Sequence, residues 1–295
     1  MSGEALAPHA RLGDRTDGRS RPSAIGRRDL AVAIGPVRWD RVFRVVAPVG
    51  FAIAGVRALV YLAAIPDPSQ SFGVDFRLYV DAARGWLATG QFYPAYELGG
   101  PYQVIGAGEI LYPPIMLWLF VPFTVLPGFL WWVVPVGLTV WAVYRMRPAW
   151  WGLALIAGMS VTHAVQGPFF WGTPAIWLLP AVAWGLLLGW PAVFVLVKPT
   201  LALFMLSGMG RPRGLLFGLV LFGSLAVPFG TMWLDWLTAI RNSDLEFSYA
   251  VTQNALLILP IIAWVSSSRS AAASGLVPSR LRRSRIGAPA RSLPG

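Results

Sequence analysis

Between Ile110 and Leu234 the chain carries neither aspartate nor glutamate, and this 125-residue interval limits what it can fold into more than any other feature. Its only charges are Arg145, Arg147, Lys198, Arg211 and Arg213. An interval of this kind reads as helices in lipid joined by short turns, because a segment inside a bilayer must satisfy its own backbone polar groups. Composition excludes an ordinary soluble domain: of 295 residues, 56% are hydrophobic and only 13% charged, with 15 Trp and a mean hydropathy of +0.60. All 13 acids fall in residues 4 to 40, 67 to 109 or 235 to 246. The absence of cysteine excludes disulfides, thiol catalysis and cysteine metal sites.

The expected fold is therefore all-α, a polytopic transmembrane helical bundle of about eight spans. Residues 1 to 44 hold nine Arg and five acids among Gly, Ser and Pro, and read as a disordered basic tail. Residues 45 to 265 form the transmembrane domain, and 266 to 295 a second disordered basic tail. The first apolar run covers residues 45 to 65. The run from Ile115 to Tyr144 is too long for one span and is split at Leu126-Pro127-Gly128 into a hairpin turning on the cytoplasmic side. Further runs cover about 149–165, 172–189, 191–208, 214–228 and 251–265. Arg38, Arg41 and Arg44 before the first span, and six Arg with no acid after Trp264, place both termini in the cytoplasm of a multi-pass plasma-membrane protein. Arg211 and Arg213 also fall inside; Arg145 and Arg147 fall outside, against the rule.

This topology puts both remaining acidic segments on the outer face. In the first of them, Phe76, Tyr79, Val80, Ala83, Trp86 and Leu87 recur at three- and four-residue spacings, with Arg77, Asp81 and Arg84 on the other side. That spacing predicts an amphipathic surface helix over 76–89, with Asp75 as N-cap and Gly90 as a left-handed stop. Asp81 is flanked by Arg77 and Arg84 and reads as part of a solvated ion-pair set. Asp75 has no such helical partner, and the two are the leading candidates for any chemistry that needs a carboxylate.

The segment V-D-F-R-L-Y-V-D-A-A-R-G-W-L-A-T-G-Q-F-Y at 74–93, then I-L-Y-P-P-I at 110–115 and Leu126-Pro127-Gly128, resembles glycosyltransferase family 87. These are polyprenol-phosphate-mannose-dependent mannosyltransferases of the GT-C superfamily. Val195 to Thr200 resembles the family's Lys-Pro helix, and Gln166-Gly167 a scrambled form of its Gly-Gln-x-Asn stretch. The resemblance implies transfer of a hexose, as mannose, from a polyprenyl-phosphate sugar donor to a lipid or glycan acceptor on the outer face, with inversion. It implies Asp75 as the general base that deprotonates the acceptor hydroxyl. The leaving phosphate needs cations or donors, and Arg57, Arg77, Tyr112 and Arg241 are the candidates; Lys198, a lysine within an apolar run, reads as substrate-binding without its ligand being legible. Tyr79, Asp81 and Tyr93 complete the expected substrate-binding set. No cofactor and no metal is expected.

Arg57, inside the first span, reads either as snorkelling toward an interface or as binding an anion. His163 stands alone in an apolar context and reads as a packed polar side chain. The basic tails, almost without aromatics, suit anionic membrane lipids and not nucleic acid. A transporter would show internal repeats, and none is found. The alternative to an enzyme is a noncatalytic membrane scaffold of the same fold.

Overall fold

The computed structural model describes residues 39–63, 72–104, 108–244 and 255–267. The basic tails lie outside these residues apart from 39–44 and 266–267. Except for Trp39, the described residues belong to one compact unit, Asp40–Gly295. Every described element is helical, and strand-like pairing is confined to the isolated bridges Tyr102 with Ser243 and Pro148 with Ser267.

The first helix, α1 (Trp39–Ala63), begins inside what the sequence assigns to the disordered tail. Asp40 in its first turn complements the positive end of the helix dipole and pairs with Arg44 at 2.6 Å, four residues on. Next come α2 (Val74–Thr89) and the short α3 (Ala95–Gly99). A composite helix, Pro114–Thr124, has α4 (Leu117–Phe120) at its centre. It is followed by α5 (Leu130–Met146), α6 (Trp150–Ser160), α7 (His163–Trp171) and α8 (Ala175–Leu188). Two 3₁₀ runs, Trp190–Val197 and Pro199–Gly208, precede α9 (Pro212–Ala226), α10 (Met232–Asn242) and α11 (Ile258–Val265).

Side-chain contacts define two ends. At one, Gly73 N–H donates to Phe170 O at 2.8 Å, Trp131 Nε1 to Gly172 O at 2.9 Å, and the Phe72 and Trp132 rings stack at 5.1 Å. The same end holds α10, joined to the loop after α3 by Tyr102 N–H to Asn242 O at 3.0 Å and by Asp244 Oδ1, which accepts from Val104 N–H at 2.7 Å. The two acidic segments that the sequence places on one face thus fold into a single cap. At the other end, Ala149 N–H donates to Ser266 O at 3.0 Å and Arg211 N–H to Gly208 O at 3.0 Å.

By length and apolar composition, two helices among the described residues can cross a membrane, Trp39–Tyr61 and Pro212–Phe229. A third candidate is the pair α6 and α7, bent by 59° at the break between them.

Three placements differ from the sequence reading. The segment Pro114–Thr124 does not run away from the cap to a turn at 126–128. It lies along α2, with Tyr79 stacked on Phe120 at 4.9 Å and Phe76 edge-on to Phe123 at 6.0 Å. Residues 191–208 do not form one α-helical span. The two 3₁₀ runs fold back on each other about Lys198, whose backbone (φ −126°, ψ 87°) breaks the helix. The close return requires Gly208, where a Cβ would stand 2.6 Å from Gly189 O. Finally, Pro148 bridges Ser267, so Arg145 and Arg147 sit at the end where the C-terminal tail leaves, not opposite to it.

Candidate functional site

The helix that carries Asp75 starts two residues before the expected Phe76 and stops where the sequence predicts. Gly90, in left-handed geometry (φ 78°), closes it by donating to Trp86 O at 2.7 Å. The N-terminus is built otherwise than expected. Gly73 (φ 69°, ψ 26°) takes the N-cap position, no side chain caps the helix, and Asp75 sits in the first turn. Glycine is required there because a Cβ would meet the Trp132 ring at 3.1 Å in a backbone conformation that side chains avoid. The Asp75 carboxylate therefore does not cap the helix, and it is close enough to Lys198 to feel its charge.

Two other segments meet it. Tyr112 precedes the Pro114–Thr124 helix, and its ring packs edge-on to Tyr79 at 5.2 Å. Lys198, at the tip of the 3₁₀ hairpin, holds its Nζ 5.8 Å from the centre of the Tyr112 ring. Burial pushes the Asp75 carboxyl up from its ordinary 3.8 to about 6, against the opposing pull of the Lys198 ammonium. Among the described residues, Lys198 is the cation whose charge bears on Asp75. Residues 75, 112 and 198, far apart in the chain, therefore form one cluster.

Beside the cluster opens an apolar cavity of about 630 Å³, lined among others by Ile115, Trp118, Trp141, Trp184, Phe194 and Val197. Ile115 follows the Tyr112 turn and Val197 adjoins Lys198, so the cavity leads from the polar cluster along α5 and α8 toward the opposite end.

Of the remaining residues singled out in the sequence, Tyr79 and Tyr93 back the cluster through Tyr112 and the others fall elsewhere. Tyr79 and Tyr93 are buried core residues. Tyr79 lies between the Tyr112 and Phe120 rings, and the Tyr93 hydroxyl donates to Tyr112 O at 2.9 Å. Arg77 Nη1 donates to Phe72 O at 2.8 Å, tying α2 to the segment that leads into it. Asp81 pairs with Arg84 at 2.6 Å, both side chains more than half exposed, as expected for one of its two flanking arginines; the other, Arg77, donates to Phe72 O. Arg57 Nη1 donates to Val161 O at 3.1 Å, satisfying a carbonyl freed by the α6–α7 bend. Arg241 is exposed in the last turn of α10, where the helix dipole favours a cation. His163 is exposed at the start of α7, not packed.

Sequence reasoning passed over Glu97, which is fully buried. Its Oε1 accepts from Ile110 N–H at 2.8 Å and from the Tyr96 hydroxyl at 3.3 Å. Burial raises its proton affinity above the ordinary glutamate value, as does the neighbouring Glu109 carboxylate, while the hydrogen bonds from Ile110 and Tyr96 oppose this. No spacing in the sequence marks it, since its partners become neighbours only through the fold. Among the described residues no group of three or more acidic, histidine or cysteine side chains is arranged to hold a metal ion.

Comparison with protein-family models, with curated proteins and with solved structures finds no match to this chain.

Proposed function

We propose that this protein is a membrane glycosyltransferase that moves a hexose, as mannose, from a polyprenyl-phosphate donor to a hydroxyl of a lipid or glycan acceptor at the cap face. The observation that carries the reading is the meeting of Asp75, Tyr112 and Lys198 beside an apolar cavity that Val197, the neighbour of Lys198, helps to line. Such a donor has a charged headgroup on a long apolar chain. The cavity suits the chain and the cluster suits the headgroup.

The chemistry follows from the two charged groups. Asp75 accepts the proton of the acceptor hydroxyl as its oxygen attacks the anomeric carbon. The C–O bond to phosphate breaks with inversion, and the phosphate leaves toward the Lys198 ammonium. A carboxylate whose proton affinity is raised to about 6 remains ionised at neutral pH yet is a stronger base than a solvated aspartate. Tyr112 orients Lys198 through its ring face. Arg57 and Arg77, engaged with backbone carbonyls, serve the scaffold more directly than the phosphate.

In the membrane we place the cap outside. Six segments run between the two ends: α1, α5, the bent pair α6 and α7, α8, α9, and α11. The Pro114–Thr124 helix and the 3₁₀ hairpin are re-entrant. An even count keeps both termini cytoplasmic, and the basic tails contact anionic lipids there.

The test is transfer from a radiolabelled polyprenyl-phosphate mannose by the purified protein. We expect Asp75→Asn to lower transfer by about a hundredfold or more, the usual worth of a general base. If the unaltered protein transfers nothing to any lipid or glycan acceptor, the enzyme reading yields to the noncatalytic scaffold.

A further inference from the structure

The backbone that presents Tyr112 is irregular. Residues 109–111 form neither helix nor strand, and Ile110 and Tyr112 are buried. Buried backbone polar groups outside regular structure need partners from elsewhere. Here three consecutive residues each find one in a different side chain. Ile110 N–H donates to Glu97 Oε1 at 2.8 Å, Trp236 Nε1 donates to Leu111 O at 3.1 Å, and the Tyr93 hydroxyl donates to Tyr112 O at 2.9 Å. These partners stand 13, 125 and 19 residues away in the chain. Glu97 is anchored in turn, because Asn242 Nδ2 at the end of α10 donates to its backbone oxygen at 2.9 Å.

We propose that Glu97, Trp236 and Tyr93 are positioning residues that fix the Tyr112 segment and, through the Tyr112 ring, the place of the Lys198 ammonium beside Asp75. The proposal rests on the reading of Asp75 and Lys198 as the reacting site. It assigns α10 and its flanks, from the far part of the chain, a share in building that site. Glu97 acts as a hydrogen-bond acceptor and not as a charge. It is fully buried, its second oxygen has no hydrogen-bond partner among the described residues, and the carboxylate whose charge bears on it, Glu109, is of like sign. Tyr93, expected from the sequence to touch substrate, acts through Tyr112 instead.

Lys198 is the only lysine of the chain, so its environment can be read without any sugar substrate. The full-length protein in detergent is treated with an amine-acylating ester at fixed alkaline pH, and acylation at Lys198 is followed by mass spectrometry of the digested chain. Glu97→Leu, Trp236→Phe and Tyr93→Phe each free a backbone group of the segment. Each should raise the labelling rate about threefold or more, as loss of one buried hydrogen bond implies. Glu97→Gln keeps the accepting oxygen and should label as the unaltered protein does. If Glu97→Leu fails to fold, Trp236→Phe and Tyr93→Phe decide, since both retain their rings. Unchanged labelling in these two variants overturns the proposal, as does Glu97→Gln behaving like Glu97→Leu. No donor or acceptor is present, so such a result counts against the positioning role alone. The glycosyl-transfer reading stands or falls separately on the Asp75→Asn assay.

Discussion

Asp75 occupies a place where basicity and stability pull in opposite directions. Its folded-state proton affinity, about 6 against an ordinary 3.8, lies above that of the unfolded chain. The protonated form is therefore the one folding favours, and stability falls as pH rises from about 4 through about 6. The proposed transfer would have the reverse dependence, because only the carboxylate can accept a proton. Transfer rate should rise as pH passes through about 6 and then level, and a flat profile across that window would remove Asp75 from the role of base. Asp75→Asn ends the cost of burying the charge, so at neutral pH it should lose transfer while its Tm stays the same or rises. A clear fall in Tm would mean that the carboxylate is structural. Asp81→Asn should behave differently. Its pair with Arg84 is exposed on both sides and contributes at most about 1 kcal/mol, so transfer and Tm should both remain close to those of the unaltered protein.

Among elements, the hairpin tipped by Lys198 is the least ordinary. Two 3₁₀ runs of 8 and 10 residues are long for a geometry usually limited to a few residues. They are held by close approaches that admit no side chain. A Cβ at Gly185 would lie 2.7 Å from Ala192 Cβ, and one at Gly208 would lie 2.9 Å from the same atom. Gly208→Val should therefore cost about 1–3 kcal/mol through overpacking and displace Lys198 from Tyr112. Gly210→Ala, with nothing within 4 Å of the added atom, should be silent. Thermal unfolding of the two variants checks this, and equal Tm values would show that the hairpin does not depend on the close return. The amphipathic helix is the contrasting case. Its apolar stripe at three- and four-residue spacing and its terminal glycine define α2 almost to the residue, because both signals are local. Its stripe packs on protein at several points, with Phe76 against Trp131 at 5.2 Å and Trp86 near Phe229 at 6.4 Å.

For the whole molecule, the contact of Pro148 with Ser267 and the joining of α10 to the loop after α3 make the membrane orientation testable at several points. Single cysteines can be introduced into this cysteine-free chain at the exposed residues Gln91, Thr238 and Arg145. A membrane-impermeant thiol reagent on intact cells should label Gln91→Cys and Thr238→Cys. It should reach Arg145→Cys only after permeabilisation. Labelling of Arg145→Cys on intact cells would break the shared end for that turn and the C-terminal tail.

The sequence alone determined the class of molecule. An acid-free interval of 125 residues and a mean hydropathy of +0.60 leave helices as the structure available, and acids confined to a few segments mark where polar chemistry can occur. It also determined α2, its glycine stop, and Asp75 as the carboxylate without a helical ion-pair partner. Only the tertiary structure decided which apolar runs reach from end to end and which turn back. Residues 115–124 are apolar but for Thr124, and 191–208 are largely apolar on both sides of Lys198, so no period distinguishes a helix that runs from end to end from one that turns back; packing against α2 and α8 makes that choice. Only the tertiary structure joined Asp75 to Tyr112 and Lys198, and Leu111 to Trp236. Those pairings depend on chain reversals many residues away, and no local signal of charge or spacing encodes them.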